Sequence, residues 1–367
     1  MPNDIDFDFD FAIVGAGIAG STLAAHGRVL LMECEAQPGL HSTGRSAAMF
    51  MESYGPPQAR ALTRASRAEI GPEVLSPRGV LYVAWHGQEA LLEDRLAALR
   101  GSGSAVQRID AGAALARMPV LQPAGLVGAI VEAEAMDIDV HALHQQALRR
   151  ARALGATLWT DAELQAAQQE LGGWTLAVSG GRGVRTRVLA NAAGAWADTV
   201  AQRAGLAPLG LQPRRRSAFS FEAPGHDHRG WPAVVAVDEG WYFKPDAGQL
   251  LGSPANADPV SAHDVVAEEI DIATGIARIE ERTLLDIRRP RRTWAGLRTF
   301  APDGELVIGA DPRAAGFFWL AGQGGYGIQS AAGAARLAEA LLLGIPLPPA
   351  LLRQGVQPEG MSPARLI

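Results

Sequence analysis

The sequence predicts an α/β protein in which one domain is assembled from separated chain segments and a second domain is inserted between them. Three observations carry that expectation. Residues 9–14, Phe-Asp-Phe-Ala-Ile-Val, read as a buried strand that runs into Gly15-Ala16-Gly17-Ile18-Ala19-Gly20, a helical stretch and a second buried strand, Val29 to Met32, closed by Glu33. In the middle of the chain, a strand over 184–190 runs into the turn Asn191-Ala192-Ala193-Gly194-Ala195-Trp196-Ala197-Asp198. Near the end, Phe317 to Ala321 reads as a strand and is followed by Gly322-Gln323-Gly324-Gly325-Tyr326-Gly327. A helix from Ile328 to Leu343 comes next, stopped by Gly344 and Pro346.

The elements between these points follow in order. Residues 41–70 mix turn residues with a helical stretch, Gly79 to Trp85 reads as a strand, and Glu89 to Arg100 as a helix. Asp139 caps a helix from Val140 to Leu154, which Gly155 ends. Leu158 to Thr160, Trp174 to Ser179 and much of Ser217 to Phe243 have strand character, and residues 264–282 read as helical. Trp241-Tyr242-Phe243-Lys244-Pro245 reads as a strand ending at its proline.

Composition removes several function classes. The chain has 367 residues, 48% apolar and 20% charged, enough for two cored domains and too apolar for disorder. The formal net charge of −6 argues against a nucleic-acid partner. Cys34 is the only cysteine, which excludes an internal disulfide, a cysteine-ligated cluster and a Cys-x-x-Cys redox pair. Lys244 is the only lysine, so no Walker-type Gly-Lys-Ser/Thr exists. His141 and His144, three apart on the expected helix, lack a third ligand. They read as a solvated or capped helix face, and no metal site is expected. The acidic start, Met1 to Asp8, does not resemble an export signal. No apolar run is long enough for a transmembrane segment. The expected location is cytoplasmic, with peripheral contact to the inner membrane left open.

The first glycine motif carries specific physics. Gly15 and Gly17 allow a tight turn and close approach of backbone to a pyrophosphate, and Gly20 lets the helix pack on the strand. The amides of the first helical turn face the phosphates, and Glu33 accepts hydrogen bonds from a ribose. Glu33 follows Gly15 by 18 positions, slightly short of the ~20 usual in this fingerprint. The helix from Ser21 to about His26 is therefore expected to be short.

Several stretches in a fixed order make the chain resemble a known family. They are Val14 to Gly20, Glu33, His41-Ser42-Thr43-Gly44-Arg45-Ser46-Ala47-Ala48, Asn191 to Trp196, Leu211-Gln212-Pro213-Arg214-Arg215-Arg216, Trp294-Ala295-Gly296-Leu297-Arg298, and Gly322 to Gln329. Together they resemble the FAD-dependent D-amino acid oxidase-like enzymes, most closely the bacterial D-arginine/D-amino acid dehydrogenases, over nearly the whole chain. The resemblance implies a discontinuous Rossmann-type FAD-binding domain and a mixed-sheet α+β substrate domain, with the flavin at their junction. The expected segments are 1–76, 137–212 and 296–367 for the first domain, and 77–136 and 213–295 for the second.

The resemblance also implies roles. FAD, held noncovalently, would contact Gly15, Gly17, Gly20, Glu33, Ser42, Thr43, Arg45, Ser46, Ala47, Ala193, Gly194, Trp196, Gly324, Gly325, Tyr326, Gly327, Ile328 and Gln329. Gly322 to Gly327 would open a helix whose positive end faces the reduced flavin. Arg298 would fork the substrate carboxylate. Arg215 is a second candidate, one of three adjacent arginines that offer three ways to fill one role. Tyr242 and Tyr54 would hydrogen-bond the substrate and close the pocket. Arginines 288, 289, 291 and 292 read as a solvated basic face.

The implied reaction is oxidation of a D-amino acid by hydride transfer from Cα to flavin N5, giving an imino acid that hydrolyses to a keto acid and ammonia. A quinone or a redox protein is a candidate electron acceptor. The related alternatives are an oxidase of sarcosine, glycine or a 2-hydroxy acid, and a binding protein that keeps the fold with weakened FAD affinity. Residues 49–51, Met-Phe-Met, depart from a family pattern that often places histidine and polar groups there. Ser76 to Val83, expected beside the pocket, holds no carboxylate, so neutral or apolar side chains are expected over arginine.

Overall fold

The computed structural model describes residues 7–23 and 28–367. Two large sheets dominate it, and both expected components of the mixed α/β fold are present. The first sheet orders its main strands as Leu164–Glu170, Gly173–Val178, Arg182–Asn191, Phe9–Val14, Val29–Met32 and Thr157–Trp159. Its central pairs are parallel, with Val14 beside Asn191 on one side and beside Met32 on the other. Phe317–Ala321 joins the far half of Arg182–Asn191, also in parallel. The three motif turns therefore leave the sheet at one end, where the carboxyl ends of parallel strands offer a crevice. Apolar clusters cover both faces. One packs Ile13, Leu31 and Leu320 against helices Pro57–Ser66 and Ala331–Leu343; the other packs Leu30, Leu189 and Trp319 against helix Ala197–Arg203.

The second sheet is mainly antiparallel. Strand Gln212–Phe221 pairs with Arg292–Phe300 on one side and with Gln249–Ser253 on the other; beyond lie Tyr242–Asp246, Ala233–Ala236, Val80–Trp85, Leu126–Glu132 and Val106–Asp110. Its strands alternate. Phe219, Phe221, Phe243 and Leu250 face a core closed by helix Glu269–Arg282. Residues of the opposite phase, among them Arg216, Ala218, Tyr242 and Leu251, face the crevice of the first sheet. A small sheet of Met49–Phe50, Met136–Ile138 and Leu75–Pro77 lies in a third place.

Several elements differ from expectation. The first helix spans Ile18–Thr22, starting inside the glycine motif; residues 24–26 of the expected helix lie outside the described residues. The strand through Lys244 does not stop at Pro245 but runs to Asp246. The helix expected over 264–282 begins at Glu269, because Asp264 and the Val265 carbonyl are bound by Arg45. The helix expected from Ile328 begins at Ala331. His144 is not on a solvated face: it is buried, and its Nε2–H donates to the Ala16 carbonyl at 2.8 Å. No helix among the described residues is long and apolar enough to cross a membrane. Among those residues no group of histidine, cysteine or carboxylate side chains is placed to hold a metal.

Candidate active site

A cavity of about 490 Å³ lies between the two sheets. At one end its wall is the turn after the first strand. Gly15 has φ +97°, and a Cβ there would sit 2.5 Å from the Ala192 carbonyl oxygen. A Cβ on Gly20 would sit 1.9 Å from the Gly15 carbonyl, so Gly20 lies behind the wall and lets the helix close on the strand. Gly17 lines the cavity, with Thr43 Oγ1 3.1 Å from where its Cβ would be. Glu33 closes this end: its carboxylate accepts from the Ala16 and Glu35 amides at 3.1 and 3.2 Å. Two carboxylate oxygens have more acceptor capacity than that, which leaves room for a ribose hydroxyl. The Ile18 amide is taken by Thr43 Oγ1 at 3.0 Å, so the first helical turn is less open to phosphates than expected.

Residues 42–47 form the long side of the cavity. Ser42, Thr43, Arg45, Ser46 and Ala47 all line it. Ser42 donates to the Leu297 carbonyl at 2.7 Å, and the Ser46 hydroxyl accepts from the Ala48 amide. Arg45 spends its guanidinium on the Leu40, Val265 and Ala295 carbonyls and on Asp264, so it acts as a tether between loops. Ala193, Gly194 and Trp196 form the facing wall, with the His41 ring 4.7 Å from Trp196. The glycine-rich loop after Phe317–Ala321 brings Gly324, Gly325, Gly327 and Ile328 to the cavity. Tyr326 and Gln329 turn away from it. Tyr326 is buried in the core and donates its hydroxyl to the Gly304 carbonyl. Gln329 bonds the Met51 amide and carbonyl and the Tyr54 carbonyl, holding two chain segments together. Residues 324–330 form turns, and the helix itself begins at Ala331, three residues after cavity-lining Ile328.

The opposite end of the cavity is cationic. Arg298 and Arg216 both line it, together with Tyr242. Arg298 Nη1 donates to the Tyr54 hydroxyl at 3.3 Å, and Arg216 Nε donates to the Asn256 carbonyl. Burial and the neighbouring Arg298 charge hold Arg216 below its usual pKa, although a guanidinium remains charged at neutral pH. Burial alone would raise the Tyr242 phenol, but the Arg298 and Arg216 cations outweigh it and hold the phenol below its ordinary value. Gly325 makes this corner possible: a Cβ there would lie 2.8 Å from the Tyr54 hydroxyl and 3.0 Å from Arg298 Nη1.

Arg215 is not part of this corner. It points to the helix side of its strand and pairs with Glu268, Asp258 and Asp271. The reason is strand phase. Arg215 shares its face with Ser217, Phe219 and Phe221, whereas Arg216 sits opposite Gly296 and faces the cavity. The pattern Ser217-Ala218-Phe219-Ser220-Phe221 held that signal, since its aromatic positions mark the core face. Trp294 also lines the cavity, on the same strand phase as Arg298. Met51 and Phe50, which replace the expected polar groups, are buried.

A glycine turn shaped for a diphosphate, an acid at the ribose end and a cleft between two sheets define a dinucleotide-binding protein of Rossmann type. The family described as DAO, FAD dependent oxidoreductase, matches residues 10–341, and the chain belongs to that family of enzymes. Solved structures share the fold. Glycine oxidase from Geobacillus kaustophilus is 23% identical, with a TM-score of 0.82 over 93% of this chain and 96% of that one. L-proline dehydrogenase from P. horikoshii is 19% identical, with a TM-score of 0.83 over 97% of both chains. Iminodiacetate oxidase from Chelativorans sp. BNC1 is 22% identical, with a TM-score of 0.77 over 96% and 98%. The cofactor is FAD, and the side-chain-free cradle at Gly15, Gly17, Gly324 and Gly325 fits it.

Proposed function

We propose that this enzyme oxidises α-amino acids of the D series, with a neutral or apolar side chain, to imino acids that hydrolyse to 2-keto acids and ammonia. The observation that carries the reading is the cationic corner: two guanidiniums, Arg298 and Arg216, face the cavity without a carboxylate partner at salt-bridge distance among the described residues. Half-buried charges gathered in a cleft are normally paired, so the corner calls for an anion, and an α-amino acid brings a carboxylate that guanidinium forks. Tyr54, which does not line the cavity, accepts from Arg298, and Tyr242, which does, offers its hydroxyl to the same carboxylate.

FAD, when bound, supplies the two-electron chemistry by accepting a hydride. The chain orients the substrate by its carboxylate and excludes water from the cleft. Among the described residues no histidine or carboxylate lines the cationic corner, so the amine sheds its proton to solvent before the substrate is enclosed. A noncovalent cofactor agrees with the state of Cys34, whose thiol is pushed up to about 12 by partial burial and by Glu33 and Glu35. Such a thiol is a poor nucleophile at neutral pH.

Contrary to expectation, none of residues 76–83 lines the cavity; Val80 to Val83 are buried in the core of the second sheet. The preference for a neutral side chain rests instead on Ala218, Tyr242, Leu251 and Trp294, which line the cavity with the two arginines. The carboxylates among the lining residues are Glu33, Glu35 and Glu163, and Glu33 lies at the dinucleotide end. The named substrates of two structural neighbours, glycine and iminodiacetate, support a second reading in which a small or secondary amine is oxidised. Anaerobic bleaching of the flavin absorbance separates these readings. D-leucine and D-methionine should bleach it well ahead of D-arginine, L-leucine, glycine and iminodiacetate; a lead for any of the last four would overturn the proposal.

A further inference from the structure

Lys244 is the only lysine among 33 lysines and arginines, and it is 2% exposed. Its ammonium lies 2.7 Å from Asp137 Oδ1 and 3.6 Å from Asp246 Oδ1. Lys244 is two residues from Tyr242 on one strand, so both side chains emerge on the same sheet face. Its cross-strand neighbour is Leu251, which lines the cavity. Asp137 belongs to a different sheet. It pairs in register with Met49, two residues beyond cavity-lining Ala47, and its other oxygen binds Arg78 Nε at 2.6 Å. The Lys244–Asp137 bond therefore joins the strand that carries Tyr242 to the segment that forms the cavity's long side.

A buried ammonium is expensive to desolvate, and an apolar pair of similar volume would often serve stability as well. What the ion pair adds is geometry: one short bond between a compact cation and an anion fixed at both oxygens. We propose that Lys244 is a positioning residue, holding Tyr242 against the 42–49 segment so that the phenol and the two guanidiniums converge on one carboxylate. This inference rests on the amino-acid reading given above.

The single variant Lys244→Met would leave Asp137 buried beside Arg78 alone and is liable to unfold, so the test uses Lys244→Met with Asp137→Asn. Arg78 keeps the Arg229 and Trp231 carbonyls in that variant. Thermal melting and flavin content establish folding and cofactor uptake. Benzoate, a carboxylate probe, is then titrated calorimetrically into the holoenzyme, and KM and kcat are measured with D-leucine. The inference expects a near-native melting temperature, benzoate Kd and KM raised by between about ten- and a hundredfold, and kcat changed far less. A folded double variant that binds benzoate as the wild type does overturns it. If the double variant does not fold, Lys244→Arg, which keeps the charge on a larger planar head, carries the same expectation and the same refutation. Wild-type protein that binds no carboxylate would remove the amino-acid reading itself, and the inference with it, which is a different failure from equal binding by both.

Discussion

The two ends of the cavity are built in different ways. The dinucleotide end is made of backbone: Gly15 turns with φ +97°, Gly20 gives way to a carbonyl, and both come from one contiguous stretch. The cationic end is made of side chains: Arg216, Tyr242 and Arg298 lie on three strands, and Tyr54 reaches them from a loop. The first end is fixed by local stereochemistry. The second exists only when strands pair in the right register and phase. Damage at the first should therefore be read as loss of cofactor, and damage at the second as loss of substrate binding with the cofactor retained.

The largest effect should come from Gly20→Val. Its side chain has no space beside the Gly15 carbonyl, so the variant should lose FAD outright, read as missing flavin absorbance in purified protein; a fully yellow variant would break the contrast. Next is Arg298→Met, which should bind FAD normally yet lose about a thousandfold in kcat/KM, since a buried charge pair with substrate is worth several kcal/mol. Arg216→Met should follow with a loss of roughly thirtyfold. Arg215→Met, one position away, should change kcat/KM by less than about threefold and act on melting temperature instead, because its ion pairs are partly solvated. If Arg215→Met were the more damaging to turnover, the strand phase argued here would be wrong.

The smallest effect sharpens the dinucleotide end. Burial holds the His144 imidazole below its ordinary value while Nε2–H supports the Ala16 carbonyl. An unfolded histidine titrates near about 6.5. Below that pH the unfolded chain binds more protons than the folded one, so this contribution to stability is present above it and is lost as pH falls. His144→Leu, which has no donor, should weaken FAD binding by up to about tenfold, in line with the loss of one buried hydrogen bond. The variant's melting temperature should also fall less steeply between pH 7 and 5. Parallel wild-type and variant curves would remove the role given to this residue.

The same contrast explains what was readable in advance. Gly15, Glu33 and Arg298 sit in stretches whose order and spacing carry their meaning, and the structure puts all three on the cavity. Arg216 needed strand phase, which three identical neighbours conceal. Tyr326 and Gln329 lie in a motif that reaches the cavity, yet the turns of 324–330 send every third residue elsewhere, here into the core and onto Met51. Helix Ala331–Leu343 starts late, after turns at 324–330 that contain Gln329, whose partner Met51 is 278 residues away and is encoded by no local propensity. His144 was legible only as a helix position, since its partner is 128 residues away.

One small contact has a wider consequence. The Ser42 hydroxyl ends on the carbonyl of Leu297, the residue before Arg298. The loop along the cavity's long side is thereby stitched to the strand that carries Arg298. By linkage, FAD in the cleft and a carboxylate at Arg298 should each raise the other's affinity, by about the worth of one such bond.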